Sequence, residues 1–88
     1  MPSALIPIMV PEVGTSEIVL SAWYVYPGET VYAGDRVVEI LIPGATIDIC
    51  APTDGVLVER CYPMATPVQP GTILGYLKPT SDCPDSAD

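Results

Sequence analysis

Turn signals recur along this chain of 88 residues at nearly regular intervals: Pro27-Gly28, Gly34-Asp35, Pro43-Gly44, Asp54-Gly55 and Pro70-Gly71. Glycine supplies a positive φ and proline presets the first turn torsion, so each pair reverses the chain at little steric cost. Between the turns lie runs rich in β-branched and aromatic residues: EIVLSAWYV (17–25), RVVEILI (36–42), ATIDIC (45–50), GVLVERCY (55–62) and TILGYL (72–77). No window carries the i, i+3, i+4, i+7 apolar spacing with caps that a helix needs. Turns roughly 8–12 residues apart predict an all-β sandwich or barrel.

The punctuation also repeats. VYAGDRVVEI (31–40) lies over VQPGTILGYL (68–77) at an offset of 37, matching Val31 with Val68, Gly34 with Gly71, Val37 with Leu74 and Ile40 with Leu77. Upstream, YPGET (26–30) lies over YPMAT (62–66) at an offset of 36, which predicts one inserted residue in the second copy. A half of this length cannot bury its own apolar face. Two halves packed about an approximate two-fold axis can.

Charge narrows the partners. Arg36, Arg60 and Lys78 stand against 11 acids, for a net charge of −8. Such a surface has no basic patch to displace counterions from nucleic acid, and anionic membranes repel it likewise. The balance favours solubility and basic protein partners, with their identity and the oligomeric state of this chain left open. The apolar opening MPSALIPIMV is interrupted by Pro2 and Pro7 and lacks a basic flank, so neither a signal peptide nor a membrane span is expected. Cys50, Cys61 and Cys83 are odd in number and show no C-x-x-C spacing. We read them as reduced residues of a cytoplasmic protein, with a Cys50–Cys61 bridge as the alternative for an exported one. Residues 79–88, PTSDCPDSAD, lack apolar periodicity and are expected to form a disordered acidic tail behind a domain at 1–78.

Three stretches carry a family resemblance: MVPEVG (9–14), AWYVYPGETVYAGDRVVEI (22–40) and ATIDICAPTDGVL (45–57). In this order and spacing the chain resembles the lipoyl domains of 2-oxo acid dehydrogenase acyltransferases and, more distantly, the biotinyl domains of carboxylases. The resemblance implies a flattened β-barrel or sandwich of two four-stranded sheets with pseudo-two-fold symmetry. It also implies a hairpin tip on which a lysine carries the cofactor in an amide bond. Aligned on the residues around it, that tip is Pro43-Gly44-Ala45, with Gly44 where the lysine stands in the family. The Ala-Met-Lys-Met signature of biotinyl domains is absent too. Lipoyl-like parts of membrane-fusion adaptors also lack the lysine, but a long helical insertion splits their halves, whereas ILIPGATIDI joins them directly here.

The expectation is therefore a free-standing lipoyl-like domain without its acceptor lysine, neither enzyme nor cofactor carrier, serving as a binding or structural module. A carrier domain of an acyl- or carboxyl-transfer complex is the alternative. Lys78, the only lysine in the sequence, should lie far from the tip. Leu41 and Ile42, just before the turn, are candidates for partner contact. The plainer reading puts one of them inside and leaves the other singly exposed. Cys50 at the hairpin base is expected to be a small buried residue. Trp23, Tyr24 and Tyr26 read as strand packing, and Glu39 and Asp48 as solvated strand residues rather than an acid–base pair. With no histidine in the chain, catalytic triads and the common zinc sites are excluded.

Overall fold

The computed structural model describes residues 4–80. Every regular element is a strand: β1 (Ile6–Met9), β2 (Ile18–Trp23), β3 (Thr30–Val31), β4 (Arg36–Ile42), β5 (Ala45–Cys50), β6 (Gly55–Arg60), β7 (Thr66–Val68) and β8 (Ile73–Pro79). They form two antiparallel four-stranded sheets, ordered β1-β8-β6-β3 and β5-β4-β2-β7. No ladder joins the two sheets, so the architecture is a sandwich and not the closed barrel the sequence also allowed. Pro79 belongs to β8, and Thr80 N–H donates to Asp54 O at 3.3 Å, so the domain runs past the expected boundary at 78. Residues 81–88 of the expected tail, with Cys83, lie outside the described residues.

The repeat is tighter than the sequence alignment predicts. Shifting β2 by 37 residues gives the limits of β6, and shifting β4 gives those of β8. The register irregularities follow the same rule: Leu20/Ala22 in β2 recurs as Leu57/Glu59 in β6. So do the bonds that tie strand to turn. Tyr24 N–H donates to Val37 O and Cys61 N–H to Leu74 O, both at 2.8 Å. Gly28 N–H donates to Leu57 O and Ala65 N–H to Leu20 O, both at 2.7 Å.

That last pair corrects the inserted residue. Backbone geometry aligns Gly28 with Ala65, and both have positive φ, 95° and 70°. The shared Tyr-Pro dipeptide is out of step with the fold by one residue. Ala65 takes a conformation costly to any residue with a Cβ, because its turn must deliver the donor to Leu20 O.

One core joins the halves. Leu20, Ile40, Leu57, Leu74 and Leu77 are wholly buried, with Ile8, Ile18, Val31, Val37 and Val38 beside them. Each buried aliphatic side chain of this size contributes about 1.5–3 kcal/mol. No polar or charged side chain among the described residues is buried, so the side chains of the interior meet through apolar contact. Three turns share one device at the sheet ends. Tyr26 N–H donates to the Glu29 carboxylate at 2.7 Å, Tyr32 N–H to that of Asp35 at 2.9 Å, and Gln69 N–H to the Thr72 hydroxyl at 3.2 Å. In each, the return bond runs from the fourth residue's N–H to the first residue's carbonyl.

Candidate functional site

The β4–β5 hairpin projects its turn beyond the last ladder pair, Ile42 with Ala45. Pairing continues unbroken from Val38–Ile49 to that pair; the irregularity lies at the other end, between Arg36 and Val38. Gly44 has φ 82°, and Pro43 fixes the preceding φ, which together define a type II turn. The strands therefore accommodate this unprimed turn without a bulge at the tip. A Cβ added at Gly44 would meet nothing within 4 Å, so the position is open to solvent and constrained only by its backbone angle.

Attachment of lipoate or biotin through an amide requires an amine. Pro43, Gly44 and Ala45, all exposed, offer none, so the tip does not fit either group. Lys78 is exposed on β8 and pairs with Val56. Its neighbour Pro79 lies opposite Gly55, directly after the loop that leaves Cys50. This is the base end of the hairpin, about 20 Å of extended strand from Gly44. Cys50 is exposed, contrary to the expectation of burial. In the edge strand β5 the alternation turns Thr46, Asp48 and Cys50 outward, while Ile47 and Ile49 pack on the core.

Leu41 and Ile42 divide as strand alternation requires. Ile42 packs against the core, whereas Leu41 is 45% exposed. Leu41, Ile42 and Pro43 run to the turn as an apolar strip and, with Ser16, Glu17, Ile18, Val19 and Pro67, line a groove of about 330 Å³. Leu41 lies beside its ladder partner Val19 there, so its exposed surface is continuous with other apolar residues.

The outer face of the hairpin carries polar residues with settled partners. Glu39 and Asp48 face one another across β4 and β5. Glu39 accepts the Ser21 hydroxyl at 2.8 Å, and Asp48 accepts the Tyr24 hydroxyl at 3.2 Å. Arg36 lies 5.0 Å from the Tyr24 ring centroid and pairs with Asp48 at 3.5 Å. Loss of solvent, then the charges of Asp48 and Glu39, pushes the Tyr24 phenol above its ordinary pKa. The network braces the face of the sheet and offers no acid–base couple. Among the described residues no three metal-ligating side chains cluster.

Of the aromatic strip, Trp23 packs against the core while Tyr24 and Tyr26 are exposed. Trp23 joins Arg60, Tyr62 and Met64 in a second cleft that the sequence did not suggest. Its parts come from both halves, and only the strand pairing reveals their proximity.

The comparisons agree with this geometry. The solved lipoyl domain of the 2-oxoglutarate dehydrogenase complex from Azotobacter vinelandii is similar, with a TM-score of 0.64 and 25% identity over 83% of this chain and 92% of that one. No curated protein matches the chain. The family of biotin-requiring enzymes matches residues 6–77, nearly all of the two-sheet domain. With that span and a fold like that of a lipoyl domain, the chain belongs to the biotin/lipoyl family.

Proposed function

We propose that this chain is a non-catalytic, non-carrying member of that family: a lipoyl-type domain whose hairpin tip meets a protein partner without bearing a cofactor. The observation that carries the reading is the type II turn at Pro43-Gly44, with no amine at the tip and the only lysine of the sequence at the opposite end of the hairpin. The apolar strip of Leu41, Ile42 and Pro43 supplies the contact surface, placed where the family presents its cofactor. Likeness to a domain of a 2-oxo acid dehydrogenase complex supports a partner drawn from such an assembly. Three cysteines, odd in number and without C-x-x-C spacing, support a cytoplasmic setting.

The family match favours a second reading, that of a carrier domain for acyl or carboxyl groups. It makes Lys78 the attachment point, because the sequence has no other lysine. Intact-mass measurement of the protein isolated from its own host separates the two. The unmodified mass is expected; a lipoyl or biotinyl adduct on Lys78 refutes the first reading. A Pro43→Asp, Gly44→Lys double variant treated with lipoate ligase tests the frame itself. We expect it to be lipoylated while the parent is not.

A further inference from the structure

The C-terminal ends of β2 and β6 meet in an open cleft of about 530 Å³, lined by Trp23, Tyr26, Arg60, Cys61, Tyr62 and Met64 among others. Trp23 and Arg60 close their strands at equivalent places, 37 residues apart, so the pseudo-two-fold brings them together. The Arg60 guanidinium carbon lies 5.7 Å from the Trp23 ring centroid and 5.1 Å from that of Tyr26. The indole is itself held, since Trp23 Nε1–H donates to Tyr62 O at 2.9 Å.

The two arginines differ in one respect. Arg36 is stacked on Tyr24 and paired with Asp48. Arg60 is stacked on two rings, yet the sole ion pair among the described residues is that of Arg36. Among the described residues Arg60 thus has aromatic neighbours but no carboxylate partner, and a guanidinium stacked on rings by its face can still donate in its own plane. The cleft therefore joins a bidentate donor to aromatic and thioether walls. Its complement is a carboxylate flanked by apolar surface. The net charge of −8 opposes multiply charged anions and favours a singly charged group, for which a carboxylate matches the planar fork. Tyr26 and Met64, 66% and 61% exposed, add open apolar surface to the same cleft, which a bare carboxylic acid on Arg60 would leave largely uncovered.

We propose that this cleft docks a peptide segment of a partner protein in which a Glu or Asp sits between apolar residues. The carboxylate forks onto Arg60, and its neighbours lie on Tyr26 and Met64. Trp, Tyr, Arg and Met are the residues that concentrate binding energy at protein interfaces. The site is separate from the hairpin tip: Trp23 pairs with Val38, four residues before Ile42, about 13 Å along the strand.

Trp23 is the only tryptophan in the sequence, so its emission reports on the cleft directly. The full chain is titrated with acetyl-Leu-Glu-Leu-amide, acetyl-Leu-Gln-Leu-amide and hexanoate. The Glu peptide is expected to change Trp23 emission saturably, with the Gln peptide and hexanoate each weaker by about tenfold or more. Arg60→Gln is expected to lose the preference for Glu while keeping the parental circular dichroism. Equal binding of the Glu and Gln peptides, hexanoate binding as tightly as the peptide, or no saturable change overturns the proposal. The peptide comparison uses the unaltered protein, so it stands even if Arg60→Gln folds poorly.

Discussion

Replacing Gly75 by alanine adds one methyl group where a neighbouring strand and the Trp23 ring leave no space for it. The new Cβ would lie 2.5 Å from Glu59 O and 3.2 Å from Cη2 of Trp23. The oxygen belongs to β6, which pairs with β8 at this level, so relief requires the ladder to move by a substantial fraction of an ångström. The ring cannot simply swing away, because its Nε1–H is bonded to Tyr62 O. Overpacking against immobile atoms costs about 3 kcal/mol, and the stiffer unfolded chain returns about 0.4–1 kcal/mol. The net loss is about 2 kcal/mol, or a fall in melting temperature of about 8–16 °C for a domain of this size. Gly44→Ala is the control. It meets nothing within 4 Å but must hold φ 82°, so it should lose only about 1 kcal/mol. Thermal unfolding followed by circular dichroism measures both, and Trp23 fluorescence in denaturant gives an independent midpoint. If Gly75→Ala melts with the parent or above Gly44→Ala, the close approach of β6, β8 and Trp23 is wrong.

Further expectations follow from the symmetry and the thiols. Leu20→Ala and Leu57→Ala empty equivalent, wholly buried positions and should each cost about 2–5 kcal/mol in urea unfolding, with similar values for the pair. Asp35→Ala removes the acceptor of Tyr32 N–H in an exposed turn and should cost about 1 kcal/mol by the same assay. Burial, then the charge of Glu59, pushes the Cys61 thiol above its ordinary pKa. The thiolate is the nucleophile, so near pH 8 this shift slows Cys61. In a Cys83→Ser background, iodoacetamide should label exposed Cys50 first, and Cys61 should catch up as pH rises.

The strands that declare themselves in the sequence are those whose apolar content suffices locally. RVVEILI and ATIDIC coincide with β4 and β5 because Pro43-Gly44 punctuates them sharply. β1, β3 and β7 escape notice because they are 4, 2 and 3 residues long and two of them contain proline. Such segments become strands only when a distant partner supplies the ladder, as β8 does for β1 and β2 for β7. The hairpin tip was legible, since turn chemistry is local. The outward position of Cys50 follows from the alternation that turns Ile47 and Ile49 inward, a local pattern stronger than the general preference of cysteine for the core. The cleft at Arg60 was hidden because its two central residues are neighbours only through the pseudo-two-fold.

That same axis gives the hairpin turn a counterpart. Shifted by 37 residues, Pro43-Gly44 falls on 80–81, just past the point where β8 leaves its sheet. There β1 enters the fold beside it, with Ile6 opposite Leu77. A turn joins β4 to β5, and among the described residues none joins their counterparts β8 and β1. A chain closed from β8 into β1 and cut between Pro43 and Gly44 would preserve every ladder in circularly permuted order. In that light the turn is a splice joining two equal halves, and a side chain there is an ornament the architecture can lose.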